Sequence, residues 1–128
     1  MTMKKTNICG IGNDIIEVER IRESIERYAN HFLDRLFTKR EQSYCDTHQD
    51  PTLRYAGRFA AKEAIVKSMG TGFGKEIGWH DIEIINEESG KPEVIFSDKI
   101  KTQFNHPQVL VSISHCKTYA TAVAIRIS

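Results

Sequence analysis

The segment from Arg58 to Gly74, RFAAKEAIVKSMGTGFG, constrains this chain more than any other. Helix formers dominate its first part, and Gly70 supplies a stop before a glycine-rich loop. At roughly 100° per residue, Glu63 and Lys67 stack one turn apart. Arg58 and Lys62 stack likewise, farther round the cylinder. A bulky ridge of Tyr55, Phe59 and Val66 lies between these pairs. The opposite side is small: Gly57, Ala60, Ala61, Ala64 and Ser68. A surface helix keeps its charges on one side and its apolar residues on the other. Charges on both flanks of an aromatic ridge imply a helix surrounded on several sides, with those charges used inside a site. The small face is bare enough to admit another backbone. The competing reading is two solvated pairs on a half-buried helix.

A chain of 128 residues is expected to form one domain, spanning 1–128, with a modest core. A formal net charge of +1 excludes a globally basic nucleic-acid binder and leaves room for a local basic patch. No apolar run approaches the roughly 18 residues of a membrane span. Two lysines near the start have no apolar stretch behind them, so no secretory signal is expected. Cys9, Cys45 and Cys116 are odd in number and match no zinc spacing. They suit a reducing cytosol, mostly as small buried hydrophobes, and the expected location is cytoplasmic.

Residues 7–14 read as a short strand ending at a turn, with Gly10 and Gly12 allowing tight packing. The spacing is no dinucleotide fingerprint. Asp14 stands between this strand and an amphipathic helix over 16–28. It is either that helix's N-cap or a hard oxygen ligand for a cation. Within the helix, Ile16, Val18, Ile21 and Ile25 can face inward. Arg20 and Arg27 lie seven apart on one face, which suits docking an acidic helix. Residues 31–37 form an apolar helical turn. Thr38 and Glu41 form a capping box for a helix to about His48. Asp50 and Pro51 open the long helix, which runs to Met69. The period then becomes strand-like. Residues 79–86 and 92–96 form one hairpin, a Ser97-capped helix covers 97–105, and a second hairpin pairs 109–114 with 118–127. The order is strand, three helices, then a mainly antiparallel half: an α+β fold.

Asp14 and Glu63, if they converge, make a small anionic oxygen site. Two carboxylates leave room for water and phosphate oxygens, which is how Mg²⁺ usually binds. Arg58, Lys62, Lys67 and His115 can hold further phosphate charge, and the loop carrying Gly70 and Gly72 can offer backbone N–H groups. The pattern is not a Walker-type phosphate loop. No Gly-x-Ser-x-Gly elbow surrounds Ser112 or Ser114. A Ser-x-Ser-His strand end instead supplies hydroxyls and an imidazole to a phosphate or an amide.

These residues carry a resemblance. Gly12-x-Asp14 with Glu17-x-x-Arg20-Ile21, then Arg58-Phe-Ala-Ala-Lys-Glu-Ala64 with Lys67, then Ser112-Ile-Ser-His115 resemble the three motifs of the 4′-phosphopantetheinyl transferases. Phe32-x-x-Arg35-x-Phe37-Thr38-x-x-Glu41 is similar to the small bacterial type. The resemblance runs in order along nearly the whole chain. Phe59 departs, standing where larger members carry Trp, and the N-terminus is a few residues long.

The resemblance implies the fold of that superfamily, with an N-terminal strand and helices packed on a mainly antiparallel sheet. It implies Mg-dependent transfer of 4′-phosphopantetheine from coenzyme A to a serine of apo-acyl carrier protein in fatty acid biosynthesis, releasing adenosine 3′,5′-bisphosphate. Asp14 and Glu63 match the metal ligands. Glu63, Lys67 and Asp14 match the catalytic set. Arg58, Lys62, Lys67, Gly70, Gly72, Ser114 and His115 match positions near coenzyme A. Arg20, Ile21 and Arg27 match the helix that docks the carrier. The small members are homotrimers with sites between subunits. The general base is left open between Glu63 and a metal-bound water. Two other classes remain: a non-catalytic module that binds coenzyme A, and a metal-dependent phosphodiesterase or pyrophosphatase.

Overall fold

The computed structural model describes residues 7–128, so the expectation about a leader falls mostly outside the described residues. The elements run β1 (Ile8–Glu17), α1 (Val18–Tyr28), α2 (Asn30–Leu36), α3 (Lys39–Asp46), α4 (Pro51–Ser68), β2 (Ile82–Asn86), β3 (Pro92–Phe96), α5 (Asp98–Gln103), β4 (Gln108–His115) and β5 (Tyr119–Ile127). All strand pairings are antiparallel. One sheet has the order β1-β5-β4, and β2 and β3 form a separate hairpin. The chain is α+β.

The expected caps are present. Thr38 and Glu41 form the reciprocal box, Asp50 accepts from Thr52 N ahead of Pro51, and Ser97 accepts from Ile100 N. Other expectations need correction. The first strand does not stop at Asp14 but reaches Glu17, because it pairs with β5 along its length. Asp14 is therefore a strand residue opposite Ala122, not an N-cap, and α1 begins only at Val18. The apolar turn at 31–37 is a helix in its own right, so four helices separate β1 from β2. Trp79 to Asp81 is a 3-10 turn, because Asp81 caps Gly78 N at 2.8 Å before β2 can start.

Helix α4 lies across the inner face of the β1-β5-β4 sheet, and both surfaces are small. Ala120, Ala122 and Ala124 are the inward residues of β5, and Ala60, Ala61 and Ala64 meet the core from the helix. Gly10 and Gly12 bring β1 closer still. A Cβ on Gly10 would stand 1.9 Å from Ser68 O, and one on Gly12 would stand 2.1 Å from Ala64 O. The small face of the helix does admit another backbone. Twelve of its eighteen residues are buried, Arg58 and Lys62 among them, while Lys67 stays exposed.

Candidate active site

Asp14 points from β1 to the α4 side of the sheet, beside the helix turn that carries Glu63 and Lys67. Lys67 Nζ donates to Asp14 Oδ1 and to Asn13 O, each at 3.0 Å. The Glu63–Lys67 pair of the competing reading does not form among the described residues; Lys67 turns to Asp14 instead. The Glu63 carboxyl titrates above its usual range, first because it is partly buried and then because the Asp14 charge stands close by. The two acids thus stand near one another beside the strand–helix contact at Gly12. Among the described residues no cluster of three or more metal-ligating side chains exists. Two neighbouring carboxylates fit a hard divalent ion that takes its remaining ligands from water or substrate oxygens.

The glycine-rich loop follows on the same flank. Gly70 has φ 75°, the left-handed stop that ends α4. Its N–H does not face a ligand: it donates to Lys67 O, while those of Thr71 and Gly74 serve Val66 O and Ile77 O. Gly72 has open space around its Cα. Beside this loop Phe73 and Phe59 both stack on Trp79, with ring centroids 3.8 and 5.2 Å away.

Arg58 and His115 belong elsewhere. They line a cleft of about 510 Å³ on the β4 flank of α4, together with Arg54 and Lys91, and no carboxylate lines it. Arg58 is 3% exposed. Its guanidinium lies over the Tyr44 ring at 4.1 Å, and Nη2 donates to Asn86 Oδ1. Its Nε, also buried, has no hydrogen-bond partner among the described residues. His115 titrates below its ordinary value, through burial and then the charges of Arg54 and His48.

Three expected site residues are corrected by their surroundings. Lys62 is fully buried, and its ammonium donates to Glu41 Oε1 at 2.7 Å, Leu36 O at 2.8 Å and Trp79 O at 3.1 Å. An ammonium has three donors, so none is left for a phosphate. Ile21 is 3% exposed within the core under α1 and presents nothing to a docking partner. Ser114 lies on the exposed face of β4 with Leu110, where alternation puts it opposite to His115, and it does not line the cleft. Arg20 and Arg27 are on the surface as expected; Arg20 pairs with Glu17 at 3.5 Å.

Sequence reasoning missed Tyr44, Asn86 and Lys91 as parts of the cleft. Only the fold brings α3, the end of β2 and the following turn against Arg58, and no spacing in the chain records that.

Comparison with known proteins establishes the family. The family model of the 4′-phosphopantetheinyl transferase superfamily matches residues 10–124. The chain belongs to that superfamily. Within it, the chain is 55% identical over 116 residues to the holo-(acyl-carrier-protein) synthase of Protochlamydia amoebophila, covering 91% of this chain and 95% of the relative. It is 47% identical over 121 residues to the enzyme of that name from Chlamydia pneumoniae, covering 94% and 98%. Among solved structures, the Helicobacter pylori holo-(acyl-carrier-protein) synthase in complex with coenzyme A aligns with a TM-score of 0.84 at 34% identity, covering 92% of this chain and 99% of that one. The Bacillus anthracis synthase aligns with a TM-score of 0.82 at 40% identity, covering 94% and 97%.

Proposed function

We propose that this chain, as one domain, is a holo-(acyl-carrier-protein) synthase. It moves 4′-phosphopantetheine from coenzyme A to a serine of an apo-acyl carrier protein and serves fatty acid biosynthesis in the cytoplasm. The observation that carries this reading is a pair of complementary half-sites on one helix. Asp14, Glu63 and Lys67 form an acidic half on the β1 flank; Arg58 and His115 anchor a cation-lined half on the β4 flank. The first suits a metal-bridged diphosphate. The second suits the phosphorylated nucleoside end of the same molecule.

Asp14 and Glu63 would hold Mg²⁺, which neutralises charge at the diphosphate when bound there. The serine oxygen forms a bond to the phosphorus that carries pantetheine. The bond from that phosphorus to the bridging oxygen breaks, and adenosine 3′,5′-bisphosphate leaves with the electron pair. Glu63, partly buried in the acidic half, would take the serine proton. Lys67 meets charge that grows on the departing phosphate. Gly72 lets the loop approach the diphosphate closely.

The two halves lie on opposite flanks of α4, so we propose that one molecule of coenzyme A bridges two subunits of a homotrimer. The outer face of the sheet supports such an assembly. Ile11 and Ile15 of β1, Val123 of β5 and Leu110 of β4 are all exposed there. The carrier's acidic helix would lie along Arg20 and Arg27 of α1, beside a cleft that includes Ser24, Tyr28 and Phe32.

The test is one mass-spectrometric assay with coenzyme A and Mg²⁺, run with and without apo-carrier. A transferase adds the phosphopantetheine mass to the carrier, and Glu63→Ala abolishes the gain. A carrier left unchanged overturns the reading. Release of phosphopantetheine to water without carrier replaces it with a hydrolase.

A further inference from the structure

Asn86 closes β2 and makes two bonds with one amide. Its Nδ2 donates to Gly90 O at 2.9 Å, and its Oδ1 accepts from Nη2 of Arg58. The turn that Asn86 opens is tightly built: Glu87 N donates to Lys91 O at 2.9 Å and Gly90 N donates to Glu87 O at 2.8 Å. Gly90 and Lys91 form one wall of the cation-lined cleft. Arg58 is the buried residue at its base, with the Tyr44 ring against its guanidinium. Asn86 is therefore the only described side chain bonded to both the base and the wall.

The orphaned Nε gives this bond its consequence. A buried charged donor with no acceptor is expensive, so the guanidinium of Arg58, which lines the cleft, is short of acceptors until an anion enters it. Tyr44 fixes the plane of the guanidinium, and Asn86 takes one of its Nη2 hydrogens. The directions left to the remaining N–H groups are then set. An amide alone does both jobs: its oxygen accepts from Arg58 while its nitrogen donates to the turn.

We infer that Asn86 is a positioning residue, which aims Arg58 at the phosphorylated nucleoside of coenzyme A by tying its guanidinium to the turn at Gly90. The inference rests on the reading of this cleft as the nucleotide half-site. It assigns Asn86 an effect on affinity for the donor and none on the chemical step, which takes place at Asp14 and Glu63.

A double-mutant cycle tests it on the full chain. Adenosine 3′,5′-bisphosphate and coenzyme A are titrated calorimetrically into wild type, Asn86→Leu, Arg58→Lys and the double variant; steady-state kinetics follow each. Asn86→Leu is expected to weaken both ligands about tenfold. It raises KM for coenzyme A by the same factor and leaves kcat within about twofold of wild type. In the Arg58→Lys background the same replacement adds little, because the group it aims is gone. If Asn86→Leu does not fold, Asn86→Ser carries the same cycle, its hydroxyl too short to span both partners. Full additivity, unchanged affinity, or a fall in kcat at constant KM overturns the assignment. If Arg58→Lys itself binds both ligands like wild type, the nucleotide reading of the cleft falls and takes the assignment with it.

Discussion

Glu63 and Lys62 are neighbours in the chain and opposites in circumstance. Glu63 is partly exposed, close to a second acid, and titrates above its unfolded value of 4.5. The folded chain therefore binds that proton more tightly than the unfolded chain does. Stability from this group is fully present below the unfolded value and is lost as pH rises through the raised one. Glu63→Gln should accordingly raise the thermal midpoint at pH 7 to 8, with the gain fading toward pH 4, while phosphopantetheine transfer is abolished. A midpoint that falls at pH 7 would contradict this placement of the acid. Lys62 is sealed in the core against Glu41. Lys62→Met leaves the Glu41 carboxylate buried without its cation and should cost about 3 to 5 kcal/mol in urea unfolding. Lys67→Met, at a half-exposed pair, should cost less than about 1 kcal/mol. The capping box identified Glu41 at once, because cap and box are local. Its two oxygens also accept from Lys62 Nζ and Ile84 N, and these contacts span 21 and 43 residues. That is why Lys62 reads as a phosphate-binding base in the sequence and is a core residue in the fold.

At the scale of elements, the contact between β1 and α4 decides whether a site exists. Local signals were enough to start α3, α4 and α5: Thr38, Asp50 and Ser97 each cap where the sequence puts them. The strand was legible only to Asp14, because the partner that extends it to Glu17 lies more than a hundred residues away. The glycines of β1 declared close approach without naming the surface approached. That surface is the carbonyl edge of α4 at Ala64 and Ser68. Gly12→Ala should push the strand off the helix, since backbone atoms stand where the new methyl would go. The expected loss is about 2 to 3 kcal/mol, read from urea unfolding. Mn²⁺ affinity, measured by paramagnetic resonance, should fall with it as Asp14 moves away from Glu63. A stable variant with unchanged Mn²⁺ binding would show that the strand–helix contact does not hold the two acids together.

For the molecule as a whole, one helix separates the two proposed half-sites. The acids and Lys67 face β1, and Arg58 with its buried Nε faces the cleft beside β4. The sequence named members of both proposed halves and put their charges on different flanks of the helix, without saying what each flank meets. The 140° or so between Arg58 and Glu63 follows from five residues at roughly 100° each, but which neighbours fill each direction is a tertiary fact. A bridging ligand between copies of the chain accounts for that divergence and for the exposed apolar sheet face together. Complementation measures this most directly. Asp14→Asn/Glu63→Gln chains and Arg58→Ala chains are co-expressed, and each is inactive alone. If sites form between subunits, random mixing in a closed ring restores intact sites at about a quarter of all interfaces, and the carrier gains phosphopantetheine at a comparable fraction of the wild-type rate. A mixture of folded, co-assembled chains as inactive as its parents would contradict the account, because each site would then be the work of a single chain.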